Sequence, residues 1–239
     1  MSIKETIQAV KLAQSAARMA TYEAAVQVNG DDDPDALELY AWNAQVSAAL
    51  MAPLHICEVV IRNAVSDALE AVYGPMWPWS SVFEFSLPAP GLGYSERKDL
   101  QAVRRHQTST GKVIPELKFV FWQKMFTSRH DNRLWHVHLR RVFPNLDSTR
   151  TVGELRQDIY EDLEEIRKLR NRIAHHEPVF RRNLAGDLQG IVDLIELRCK
   201  VTANWMLSNQ QASAIIARRP TSLAGLQTED LGAHRRESG

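Results

Sequence analysis

The chain has 239 residues, enough for one large domain or two small ones around a substantial core. Lys plus Arg equals Asp plus Glu at 29 each, so the overall charge points to no polyanionic partner. The two cysteines, Cys57 and Cys199, sit in apolar helical patterns without metal-ligand spacing, which excludes a disulfide framework and fits a reducing compartment.

Apolar residues recur at helical spacing almost throughout, and strand-type alternation is scarce, so the expected fold class is all-α. Residues 1–28 are amphipathic and charged, unlike a signal or transit peptide, and no apolar run reads as long enough to span a bilayer. The expectation is a soluble, cytoplasmic protein. Ile3, Ile7, Val10, Ala13 and Ala17 form a first stripe, closed by a turn over residues 29–34. A second helix is expected after Asp33-Pro34, ending at Pro53, and a third from Leu54 to Gly74-Pro75. Residues 74–95 form a long loop rich in aromatics (Trp77, Trp79, Phe83, Phe85), expected to pack across a core. Shorter helices are expected near 96–108, 116–127 and 132–143. Thr151 and Glu154 have capping-box spacing and open a long helix reaching about His176. A last helix carries Leu188, Ile191, Leu194, Ile195, Val201 and Trp205. The expected organisation is one all-α domain over 1–208 and a loose polar tail over 209–239.

Charge is unevenly spread. Residues 1–50 hold three basic and seven acidic side chains, whereas residues 97–141 hold eleven basic and three acidic, with four histidines. That basic stretch attracts a polyanion or is simply the wet side of amphipathic helices, and charge alone does not separate the two.

The densest chemistry lies at the end of the long helix, in Arg170-Asn171-Arg172-Ile173-Ala174-His175-His176-Glu177-Pro178. Arginine grips phosphate with a planar fork of donors, and histidine exchanges protons near neutral pH. Arg170 falls on the apolar stripe of Leu155, Ile159, Leu163, Ile166 and Ile173, where a lone buried charge is costly. It therefore needs an ion pair, a cleft or a partner subunit. His175, five residues on, lies roughly 140° round an ideal helix from Arg170. Either the helix breaks before Pro178 and redirects the histidine, or two copies of the helix meet across a two-fold axis. On the third helix Glu58 and Arg62 stand four apart, with Asn63 beside them. They form an intrahelical pair, or Glu58 balances Arg170 where the helices pack.

The Arg170-Asn171-x-x-x-His175 element resembles the Arg-x(4–6)-His signature of the HEPN superfamily, and the chain is most similar to its Abi-like (abortive infection) branch. The segments that carry the resemblance are Leu39–Asn43, Pro53–Ala64, Gly111–Trp122 and Leu169–Pro178, in that order. It implies a HEPN-like helical bundle acting as a homodimer with a composite site, and metal-independent RNA cleavage in phage defence or as a toxin. It assigns catalysis to Arg170, His175 and Asn171, with His176, Glu177, Glu58, Arg62 and Asn63 in support. Arg104, Arg105, Lys112, Lys118 and Arg172 are the weaker candidates for holding RNA. No metal and no cofactor are expected, and a neutralising protein partner stays open. Three other readings stand beside this one: a metal site at His175, His176 and Glu177, a non-catalytic helical module that binds RNA or a partner, and a purely structural motif.

Overall fold

The structure is a computed structural model describing residues 2–26 and 34–220. Among these residues it is all-α, with no strand. The helices are α1 (Ile3–Gln14), α2 (Ala16–Val26), α3 (Asp35–Tyr73), α4 (Ser81–Ser86), α5 (Glu96–Arg104) and α6 (Thr110–Glu116), then α7 (Phe119–Lys124), α8 (His136–Val142), α9 (Val152–Ala174), α10 (Leu184–Arg198), α11 (Lys200–Asn209) and α12 (Ala212–Ala217). Short 3₁₀ turns cover Trp77–Trp79 and Ser128–His130, and a π-helix covers Asp131–Trp135. The chain divides into two compact units. One comprises Met1–Ala52, Arg172–Leu188 and Gln210–Gly239, the other Pro53–Asn171 and Gln189–Asn209.

In the first unit the expected N-terminal helix is two helices. Ser15 adopts φ 75° and ψ 146°, which ends α1. Its carbonyl then accepts the Met19 N–H at 3.2 Å and starts α2. Within α1, Ile3 is 73% exposed while Ile7 is buried. The expected turn over 29–34 lies outside the described residues apart from Pro34. Tyr22 packs edge-on against Tyr40 at 5.0 Å and tilted against Phe180 at 5.3 Å, within a core that includes Met19, Leu39 and Val179. The tail expected from residue 209 is in part folded. Trp42 donates its indole N–H to the Ile215 carbonyl at 2.8 Å, which fixes α12, and Ala212 is fully buried. Residues 221–239 of that tail lie outside the described part.

Pro53 does not separate two helices as expected; it sits inside α3. Proline removes one backbone hydrogen bond and costs about 3 kcal/mol in a helix interior. The stripe Leu39, Val46, Leu50, Leu54, Cys57, Ile61, Val65 and Leu69 is buried along the helix, at about 1.5–3 kcal/mol for each large side chain, and outweighs that cost. One consequence corrects the sequence reading: α3 is long and apolar enough, by length and composition, to cross a membrane. About 33% of that apolar window is buried inside the protein, and the arrangement is compatible with a soluble protein.

The second unit is built on aromatics. Trp77, Phe83, Phe121, Trp122, Phe126, Trp135 and Phe143 are all buried, with Trp77 edge-on to Phe83 at 5.4 Å and Phe126 stacked on Trp135 at 4.7 Å. The aromatic segment 74–95 is thus partly helical and packed, although Phe85 is 72% exposed. Two buried indoles are satisfied, Trp77 donating to Ser66 Oγ at 3.1 Å and Trp135 to the Met125 carbonyl at 2.7 Å, whereas the buried Trp122 N–H has no protein partner among the described residues. Residues 105–109 separate α5 from α6, and Leu117 and Lys118 separate α6 from α7. The Thr151–Glu154 capping box forms, with Glu154 N–H to Thr151 Oγ1 at 3.3 Å and Thr151 N–H to Glu154 Oε2 at 2.9 Å. Leu155, Ile159, Leu163, Ile166 and Ile173 are buried as the stripe predicts.

His130 is 6% exposed in this unit. Burial, aided by the Arg129 charge, pushes its imidazole down to about 4. Between that value and the ordinary histidine range near 6.5 the unfolded chain binds a proton that the folded chain refuses. Folding stability therefore falls as pH drops from about 6.5 to 4, by about 3 kcal/mol in total. Urea titrations of wild type and His130→Gln across that interval check this: the substitution is expected to flatten the acid slope, and an unchanged slope would assign it to other groups.

Candidate functional site

The helix α9 stops at Ala174, so His175 is the first residue beyond it. The stop is a Schellman closure. Glu177 N–H donates to the Arg172 carbonyl at 2.8 Å, and His176 N–H donates to the Ile173 carbonyl at 3.0 Å. The residue between them in such a closure must be left-handed, and His176 has φ 57°. Glycine normally fills that place because it has no Cβ to strain. The apolar contact that often accompanies the closure is replaced by an ion pair, Arg172 Nε to Glu177 Oε2 at 3.5 Å.

Two contacts from the first unit fix this turn. Arg18 Nη2 donates to the His176 carbonyl at 2.6 Å, one of the acceptors a helix end leaves open. Arg18 is itself placed 5.6 Å over the Tyr40 ring, and the Tyr40 hydroxyl donates to Gln14 Oε1 at 2.8 Å. Just past Pro178, the buried Val179 N–H donates to Asn43 Oδ1 at 2.8 Å. Sequence reasoning missed both anchors. Asn43 carries a legible signal, a polar residue four after Leu39 and three before Val46 on a buried stripe. Nothing in the sequence singles out Arg18.

The boundary between the units falls inside α9, between Asn171 and Arg172. On its own side Arg170 is half-buried. Its helical neighbours are neutralised locally: Arg167 pairs with Glu164 at 2.6 Å and Lys168 with Glu165 at 2.7 Å. Arg170 has no ion pair and no hydrogen bond among the described residues. The partner proposed for it from sequence is engaged elsewhere, since Glu58 lies 3.9 Å from Arg62 in the intrahelical alternative. Asn171 is half-buried and Asn63 exposed. His175, His176 and Glu177 are exposed, and the His175 imidazole has no hydrogen bond among the described residues.

A second arginine on the stripe of α9 shows what a paired one looks like. Arg156 is 7% exposed, lies 3.0 Å from Asp131 Oδ1 and donates to the Phe126 carbonyl at 2.9 Å. The same position-on-a-stripe signal that picked out Arg170 applies to it.

The weaker RNA candidates separate in the structure. Arg104 is tied to Glu84 and donates to the Pro78 carbonyl at 2.8 Å, whereas Arg172 is exposed and pairs loosely with the exposed Glu177 at 3.5 Å. Arg105, Lys112 and Lys118 are exposed, the last with its ammonium 5.9 Å from the Tyr94 ring centre. Among the described residues no group of three or more His, Cys, Asp or Glu side chains could hold a metal ion. Burial pushes the Cys57 thiol up to about 12, which makes it a packing residue rather than a nucleophile. Comparison with known protein families, characterised proteins and solved structures finds no match to this chain.

His176→Gly is expected to raise the unfolding free energy by about 0.5–1 kcal/mol, by relieving the left-handed backbone. A lower urea midpoint would instead mean that the imidazole supplies a compensating contact. Asn43→Ala strands the buried Val179 N–H and is expected to cost about 1–3 kcal/mol in the same titration. A loss within error of zero would remove Asn43 as the anchor of the strap.

Proposed function

We propose that the protein is a metal-independent endoribonuclease of the HEPN kind, Abi-like in its branch, serving phage defence or acting as a toxin. The observation that supports this best is Arg170: a half-buried guanidinium left without a carboxylate in a run where Arg167, Lys168 and Arg172 each have one. A charge kept partly out of water and unpaired is poised for an anion from outside the chain. The exposed His175, next to a backbone position held in a strained conformation, supports the same reading.

The chemistry is transesterification within RNA. The 2′-hydroxyl oxygen attacks the adjacent phosphorus as the bond from phosphorus to the 5′-oxygen breaks. His175 takes the 2′-hydroxyl proton or gives one to the departing 5′-oxygen. Arg170 holds the phosphate and stabilises the charge gathering on its oxygens, and Asn171 orients the phosphate. The products are a 2′,3′-cyclic phosphate and a free 5′-hydroxyl. The need for a 2′-hydroxyl restricts the activity to RNA. A homodimer would bring a second Arg170 and His175 to the site, which suits an imidazole that finds no orienting partner among the described residues. That same unpartnered imidazole favours a second reading, a non-catalytic module that binds RNA or another protein through the motif.

Cleavage of a cellular RNA pool by purified wild-type, Arg170→Ala and His175→Ala proteins in EDTA tests the proposal. Wild type is expected to yield ends with 2′,3′-cyclic phosphate, and each substitution to slow cleavage at least about 100-fold. A silent wild type that still binds RNA would leave the binding module; variants as active as wild type would remove the motif from catalysis.

A further inference from the structure

Within the second unit, the segment from Arg129 to Arg141 carries more uncompensated positive charge than any part of α9. Arg133, His136, Val137, Arg140 and Arg141 follow the i, i+3, i+4, i+7, i+8 pattern of one helix face, running from the π-helix into α8. Trp135, Leu139 and Val142 are buried on the opposite side and fix that face outward. Arg129, Arg133 and Arg141 are exposed and Arg140 half-buried.

Among the described residues none of these four arginines forms a salt bridge, although the Arg140 charge and the Asp147 carboxylate attract each other. Arg140 donates to two neutral carbonyls, of Asp147 at 2.8 Å and Arg150 at 2.5 Å. Arg141 donates to the Asp67 carbonyl at 3.0 Å and to His138 Nδ1 at 3.2 Å. Such contacts aim a guanidinium without cancelling its charge. Two of the nearby acids are committed to others, Asp67 to Arg198 at 2.6 Å and Asp131 to Arg156 at 3.0 Å, while Asp147 offsets part of the Arg140 charge. At the start of the face, Arg133 joins Val72, Tyr73, Ser80 and Val82 around an open cavity of about 380 Å³. That lies within the span of about 300–1,000 Å³ usual for small-ligand sites.

We infer that the Arg129–Arg141 face is a docking surface for single-stranded RNA, its arginines tracking successive phosphates and the Tyr73–Arg133 cavity receiving a base. Arginine at all four positions matches phosphate with its fork. An aromatic and an arginine at one cavity mouth match a base beside its phosphate, a pairing that duplex geometry would hide. Val137 is the one large apolar side chain exposed on the α8 face, so the surface lacks the apolar stripe with which a helix enters a membrane. The inference deepens the nuclease reading and rests on it for the choice of RNA.

Binding is measured with a short, fluorescent, single-stranded oligoribonucleotide methylated at its 2′-oxygens, which binds but cannot undergo 2′-hydroxyl attack. The proteins are wild type, Arg129→Gln with Arg133→Gln, and Lys98→Gln with Lys200→Gln as a control of equal charge. The arginine variant is expected to bind roughly 10–30-fold more weakly at 0.1 M salt, with a salt slope smaller by about 1.4. The lysine variant should follow wild type. Circular dichroism shows whether each variant keeps its helices, and Arg141→Gln gives an independent single-site check. Equal losses in both double variants, or none in the arginine one, would overturn the inference. So would arginine-dependent binding to phosphatidylserine vesicles with RNA binding intact. Cleavage assays on the same proteins separate the two readings. RNA bound through these arginines but never cut keeps the docking face and sinks the nuclease, whereas RNA cut while the arginine variant binds normally does the reverse.

Discussion

The side-chain oxygen of Asn43 accepts the buried N–H of Val179, and the far end of the Arg170–His175 motif depends on that bond. A backbone donor removed from water and left unpaired costs more than most single contacts return. The strap after Pro178 therefore follows Asn43, and Arg18 adds a second tie at the His176 carbonyl. With both ends of the turn fixed, the left-handed backbone of His176 can persist although its residue type disfavours it. His175 is exposed as a result, beside a position that is conformationally rigid.

The arginines on α9 show how pairing decides between structure and availability. Arg156 is buried and engaged by Asp131 and a carbonyl, so it serves the core. Arg170 stands on the same stripe and has no such partner among the described residues, so its charge is directed outward. A buried charge left unpaired is costly, and half-burial keeps that cost tolerable. The Arg129–Arg141 segment extends the same logic to a surface, where neutral carbonyls orient arginines that carboxylates do not neutralise.

The helical character, the buried stripe of α9, the capping box at Thr151 and the packing of Trp77 and Phe83 all follow from side-chain periodicity and turn chemistry. These are local or single-period properties, and a linear sequence states them directly. The position of Arg170 on an apolar stripe is legible in the same way, as are those of Arg156 and Asn43. Local rules failed where a second influence overrode them. Pro53 reads as a helix end, yet the long buried stripe of α3 carries the helix through it. Ser15 gives no sign of a break in the sequence, yet its φ of 75° ends α1 there.

What the sequence determined by itself is the class of fold and the residues able to do chemistry, since both depend on residue type and spacing. Tertiary structure decided between the pairings the sequence left open: Glu58 on Arg62, Arg104 on Glu84, Arg172 on Glu177, and, among the described residues, no salt bridge on Arg170 or on Arg133. Ion pairing depends on distances of a few ångströms between residues that can be far apart in the chain. Composition fixes the number of charges, and only folding fixes their partners.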